Sequence, residues 1–263
     1  MNGLFELILL ALLGSVIALL GGVVFLSVKK WSRALSLYSV PFAAGVLVTV
    51  ALMGLLPEAS HVIGERAFLV VVISFIGSYL FENLFCELHH HDHSCGHDHH
   101  KRAVPLIIIG DTIHNFIDGV AIAASYLVNP GLGLVTAVST FLHEVPHEIG
   151  DFGILLKAGY TKKKVFMVNL VSALMTVVGA LVVYFLARGE AFSGYLLAIS
   201  AGMFLYLGAS DFLPHAGEGV SKKKGIAVLL LGVVLMYLTL SVVPHSHEAK
   251  HDEHEEEVHN IKD

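Results

Sequence analysis

Eight apolar runs of about twenty residues fall at roughly 4–28, 35–56, 67–87, 104–128, 132–156, 164–187, 191–213 and 225–243. As a helix, each is long enough to span a hydrocarbon core of ~30 Å. A chain built from eight such runs folds in a bilayer. The composition agrees, at 55% hydrophobic and 14% charged, where a soluble domain is nearer a quarter charged. No series of alternating ten-residue strands occurs, which argues against a β-barrel. The expected fold is an all-α polytopic membrane protein with eight transmembrane helices. The first run begins at Leu4 without a basic segment before it or an obvious cleavage site, so it reads as a retained helix.

The connecting loops are short, apart from residues 88–103 and the stretch after Pro244. This divides the chain into an eight-helix membrane domain over 1–244, with 88–103 inserted, and a tail over 245–263. Twelve of the 16 basic residues lie in alternate loops: Lys29, Lys30 and Arg33; Lys101 and Arg102; Lys157 and Lys162 to Lys164; Lys222 to Lys224. The positive-inside rule places those loops in the cytosol and both termini outside it, in what is expected to be the plasma or inner membrane. The net charge of −6 belongs almost entirely to the tail, which has seven acids against two lysines. The membrane part is near neutral and gives no sign of nucleic acid as a partner. Two cysteines, Cys86 and Cys95, make no disulfide framework.

The segment Ala44-Gly45 … Leu56-Pro57-Glu58-Ala59 recurs 157 residues later as Ala201-Gly202 … Leu213-Pro214-His215-Ala216. The copies lie in the second and seventh runs, which cross in opposite directions. Inverted repeats place a binding site between two halves of a membrane bundle, here a 3+2+3 arrangement around the fourth and fifth runs.

Those two runs hold polar groups where a membrane helix should carry leucine and valine. The fourth contains Asp111, His114, Asn115 and Asp118; the fifth contains His143, Glu144, Pro146, His147, Glu148 and Asp151. Ionisable groups at bilayer depth are costly and mark function. Residues three or four apart share a helix face, which groups His114 with Asp118 and His143 with His147. The turn Asn129-Pro130-Gly131 makes the runs an antiparallel hairpin. Counted from that turn at 1.5 Å per residue, Asp118 faces His143 and His114 faces His147, roughly 18–25 Å deep. Imidazole and carboxylate together suit a divalent metal. His114, Asp118, His143 and His147 offer a near-tetrahedral set, and Asn115 and Glu144, with Asp118 bridging, offer a second position. Pro146 should kink the fifth helix and free the carbonyl of Leu142. A buried hydrogen-bond network that only ties helices together is the plainer account, but it asks six such residues to meet at one depth by accident.

Weaker signals lie elsewhere. Glu82, Asn83 and Asn169 read as structural; Glu58, Asp211 and His215 could line entrances to a path, and Glu148 and Asp151 an exit. The tract from His89 to His100 is a low-complexity metal-binding segment, expected to buffer or sense metal in the cytosol. The tail histidines His245, His247, His251, His254 and His259 would gather cations outside.

His114-Asn115-Phe-Ile-Asp118-Gly119 and His143-Glu144-Val-Pro146-His147-Glu148 together resemble the paired motifs of the ZIP family of zinc transporters. The resemblance covers essentially the whole membrane domain. It implies a helical bundle of inverted three-helix repeats around helices four and five, and movement of divalent metal, chiefly zinc, toward the cytosol. Iron, manganese and cadmium are further candidate substrates, the lipid bilayer is a partner, and a homodimer is compatible with the pattern. By the resemblance, His114, Asp118, His143 and His147 form one site of a binuclear pair, and Asn115, Asp118 and Glu144 the other. Some members add a carboxylate from helix six; here only Asn169 is available. The large extracellular domain of many animal members has no counterpart in this sequence.

Two other functions compete. His143-Glu144-Val-Pro-His147 satisfies the His-Glu-x-x-His signature of zinc metalloproteases, which makes an intramembrane protease the alternative; Pro146 inside the ligand helix speaks against it. A cation-diffusion exporter would also use His-x-x-x-Asp, but with six spans and a cytosolic C-terminal domain.

Overall fold

The computed structural model describes residues 3–27, 29–90, 99–217 and 219–242. Most of the histidine tract and the whole 245–263 tail therefore lie outside the described residues. Among those described there is no strand. The order is α1 (Gly3–Gly14), α2 (Leu19–Ser27), α3 (Lys29–Val50), a π-helical turn (Ala51–Leu55), α4 (Leu56–Ile63), α5 (Arg66–His90), α6 (His99–Val128), α7 (Pro130–Lys157), α8 (Lys162–Leu186), α9 (Glu190–Tyr206), a second π-helical stretch (Leu207–Phe212), α10 (Leu213–His215) and α11 (Lys222–Val242).

Among the described residues, six helical stretches are long and apolar enough to cross a membrane: Gly3–Val23, Leu37–Ile63, Arg66–Asn83, Lys162–Leu186, Glu190–His215 and Lys222–Val242. These coincide with six of the eight expected runs, and the chain is an integral membrane protein. The remaining two runs are α6 and α7, of 30 and 28 residues. Both are long enough to span, and both carry Asp or Glu together with His among their apolar residues. Apolar side chains such as Phe68, Leu69, Ile73, Phe185, Leu186, Leu230 and Leu231 stand exposed on α5, α8 and α11, as expected of surfaces that meet lipid.

Local sequence accounts for the breaks. The first span is interrupted at residues 15–18, where Ile17 N–H bonds back to the Leu12 carbonyl and Leu19 N–H to that of Ser15. These bonds pair part of the freed backbone within the break, where a membrane offers no water. Asn129 caps α7, its side-chain oxygen accepting from Gly131 and Leu132 N–H at 2.8 and 3.2 Å. This fixes the hairpin expected from Asn129-Pro130-Gly131. Pro146 does not end α7, which continues to Lys157.

Glycines let selected helices close to backbone contact. A β-carbon added to Gly119 would land on the Thr176 carbonyl, and one added to Gly179 on the Phe116 carbonyl. α6 and α8 are thus interlocked from both sides, beside the polar stretch of α6. A reciprocal pair, Gly45 against Leu229 and Gly232 against Phe42, joins α3 to α11. The core on the α3 side is formed by Val46, Leu47, Val50, Leu55, Leu197, Ala198, Phe204 and Met236.

Candidate metal centre

α6 and α7 run antiparallel, and the depths expected by counting from Asn129 bring their polar groups together. His143 Nε2 lies 3.0 Å from Asp118 Oδ2, across the hairpin. His114 Nε2 lies 3.0 Å from Glu144 Oε1 and 3.7 Å from Asp118 Oδ2. His143 Nε2 is 3.9 Å from Glu144 Oε1. One donor atom from each of His114, Asp118, His143 and Glu144 falls within 4.8 Å of all the others. Asp118, His143 and Glu144 are buried, while His114 keeps 20% of its side chain exposed.

The hydrogen bonding of this group is incomplete. His143 Nδ1 lies 3.0 Å from the Ser139 carbonyl. A carbonyl only accepts, so in the neutral imidazole this nitrogen carries the proton and Nε2 bears the lone pair. Nε2 then faces a carboxylate oxygen, acceptor against acceptor, which is favourable only with a cation or proton between them. Asp118 Oδ1 is buried without a hydrogen-bond partner, and His114 Nε2 and Glu144 Oε1, though 3.0 Å apart, are not aligned as a hydrogen bond. Buried polar atoms normally have partners, and a set of orphaned imidazole and carboxylate acceptors converging on one point fits a divalent ion. Two imidazoles and two carboxylates suit zinc and other borderline ions.

The sequence-predicted residues separate into two groups. Glu144, expected beside a second ion, stands among the four close donors. His147 stands off: its ring is stacked between His114, at 4.7 Å between centroids, and Phe212, at 5.1 Å, with Nε2 unpartnered. Asn115 is fully buried but occupied, its amide donating to Asp111 Oδ1 at 3.0 Å and its oxygen accepting from Thr176 at 3.0 Å. Asn169 donates to Glu148 Oε2 at 2.9 Å, which ties α8 to α7. Glu82, read from sequence as structural, accepts from the Tyr206 hydroxyl at 2.5 Å, and His215 lies against the Asp211 carbonyl at 2.6 Å.

Sequence reasoning missed the wall on the α9 side. Phe204 packs edge-on to His143 at 5.4 Å, and Phe212, in the second π-helical stretch, lies against His147. The signal available was only that both phenylalanines sit in the recurring segment.

The two sides of the cluster differ in exposure. Toward the lysine-rich loops, Asp111, His114, His147, Asp151 and Asp211 are partly exposed. Toward the Asn129 turn, Ser125, Thr136, Ser139, Thr140 and Ser200 are fully buried.

The model of the ZIP zinc transporter family matches residues 87–240, which contain every residue of this cluster. Over 141 residues, 51% of this chain and 30% of the other, it is 40% identical to zinc transporter zipt-7.2 of Caenorhabditis elegans. Human zinc transporter ZIP10 is 41% identical over 46% of this chain and 15% of its own length, and rat zinc transporter ZIP4 is 43% identical over 50% and 20%. The chain therefore spans less than a third of the length of these relatives.

Proposed function

The chain belongs to the ZIP zinc transporter family, and we propose that it carries zinc across the membrane into the cytosol through the His114–Asp118–His143–Glu144 cluster. The observation that carries this reading is the convergence of four donors within 4.8 Å, three of them from buried residues, with atoms among them that make no hydrogen bond. α6 and α7 count as spans four and five of eight, their polar faces turned inward, as intramembrane ionisable groups require. The lysine-rich loops face the cytosol by the positive-inside rule, so the side of the partly exposed Asp111, His147 and Asp151 is the release side and both termini lie outside. The inverted 3+2+3 repeat is supported by the two π-helical stretches, each followed by Leu-Pro at matching places in the recurring segment. A second ion beside Asn115, Asp118 and Glu144 would take the lone pair of Asn115 Oδ1 that Thr176 leaves free. Loop 88–103 buffers metal on the cytosolic side and the 245–263 tail gathers it outside. Iron, manganese and cadmium compete for the same donors, and a homodimer in the plasma or inner membrane is the working assembly.

Histidines and carboxylates hold metal only when deprotonated, so uptake falls in acid. The test is radiolabelled zinc uptake into proteoliposomes, with competing ions and with a pH gradient present or absent. Uptake that is lost in His114→Ala supports the site, and wild-type flux in that variant removes it. The protease alternative gains nothing from the family match. Cleavage of membrane substrates, abolished by Glu144→Gln with metal flux intact, would restore it.

A further inference from the structure

Hydroxyls on the helices of this bundle generally fold back on their own backbone. Ser15 donates to the Ala11 carbonyl at 2.8 Å, Thr49 to Gly45 at 2.7 Å, Ser125 to Ala121 at 2.7 Å and Thr136 to Leu132 at 2.9 Å. This is the ordinary solution for serine and threonine in a helix that water does not reach. Ser139, Thr140 and Ser200 do not adopt it. All three are fully buried, and all three hydroxyl oxygens lack a hydrogen-bond partner.

Their positions are related. Ser139 and Thr140 lie four residues before His143 and Glu144 on α7, one helical turn from the cluster on the Asn129 side. Ser200 lies four residues before Phe204, whose ring packs on His143. His143 meets Phe204, and His147, one turn on, meets Phe212 beyond the end of α9, so the two segments run in the same direction and Ser200, before Phe204, lies toward the Asn129 end as Ser139 does. All three hydroxyls thus lie on the Asn129 side of the metal donors, opposite the partly exposed Asp111, His114, His147 and Asp151, with the Thr140 side chain facing Gly14 of α1.

We propose that Ser139, Thr140 and Ser200 form the last polar tier of the outer access route and are hydrated when the outer side opens. Their partners are then the water molecules of an incoming divalent cation, which the hydroxyls hold by hydrogen bonds while imidazole and carboxylate replace those waters one turn further in. A hydroxyl is a poor lasting ligand for zinc beside nitrogen and carboxylate donors, so the tier passes the ion on. The inference rests on the transport reading for its function, but its geometry is separately measurable.

Ser139→Cys and Ser200→Cys, placed one at a time in the full chain with Cys86→Ser and Cys95→Ser, are exposed to a small membrane-impermeant thiol reagent from either face. Reaction from the outer face is expected, and reaction only from the lysine-rich face, or none, overturns the proposal. Ser139→Ala and Ser200→Ala are then measured for zinc uptake and thermal midpoint. Loss of one hydrogen bond to an ion's water should slow uptake roughly tenfold, while the midpoint holds or rises because an unpartnered buried hydroxyl has gone. Wild-type uptake in both variants, or a clear fall in midpoint, overturns it. Zinc-free wild-type vesicles would instead sink the transport reading and leave the labelling to decide the route.

Discussion

The Ser139 carbonyl, 3.0 Å from His143 Nδ1, determines which nitrogen of that ring meets Asp118. A histidine that donates its second N–H to a carbonyl is fixed in tautomer and orientation, and its free nitrogen becomes a better metal ligand. The same contact ties the ring to the backbone one turn toward the Asn129 end. Movement of that turn thus changes where Nε2 points.

Asp118→Ala and His143→Ala should each remove zinc uptake and weaken zinc binding by at least roughly a hundredfold, beyond what loss of an outer partner costs. Both residues are fully buried, so each variant needs a check of folding by thermal midpoint. Asp118 bridges the two histidines at 3.0 and 3.7 Å, and a folded Asp118→Ala protein with normal uptake would falsify the cluster as the transport site.

The α6–α8 contact should be intolerant of bulk. Gly119 and Gly179 each oppose a backbone carbonyl of the other helix, so neither neighbour can yield by turning a side chain. Gly119→Val or Gly179→Val should cost about 1–3 kcal/mol or more, the range for overpacking, and displace Asn115 from Thr176. Gly150→Ala is the control, since nothing lies within 4 Å of its added carbon. Thermal unfolding in detergent, compared across the three variants, gives the answer.

The pairing of Glu148 with Asn169 predicts an asymmetry in stability. Glu148 Oε1 is buried without a partner and Oε2 depends on Asn169. Asn169→Leu leaves the carboxyl wholly unpartnered and should cost ~1–3 kcal/mol. Adding Glu148→Met should recover most of that, because removing both partners of a buried pair is nearly neutral. A double variant no more stable than Asn169→Leu would show that Glu148 has other obligations, to metal or to water.

The legible part of this molecule was the part governed by repetition. Apolar runs of spanning length gave the helices, and counting from Asn129 placed Asp118 opposite His143, because a hairpin of two regular helices leaves no other register. What escaped was set by rotation and by contacts distant in sequence. Whether Glu144 or His147 joins His114 depends on the twist between α6 and α7 and on Phe212, 65 positions from His147. The occupation of Asn115 by Thr176 depends on how closely α8 approaches, which Gly119 and Gly179 decide. The hydroxyls of Ser139 and Thr140 went unread in the sequence, because nothing in it shows that they lack partners in the fold.

His147 supplies the sharpest contrast with His143, four residues earlier. Both are imidazoles on one face of α7, and the paired motifs give them equal standing. Only His143 stands within reach of Asp118 and Glu144; His147 is held between the His114 and Phe212 rings. Equilibrium zinc binding should therefore fall less in His147→Ala than in His143→Ala, and X-ray absorption of the zinc-loaded protein should report two imidazole ligands. Three imidazoles, or equal losses in the two variants, would mean that the ion draws His147 away from Phe212 as it binds. The aromatic contact would then be one that the empty site alone can keep.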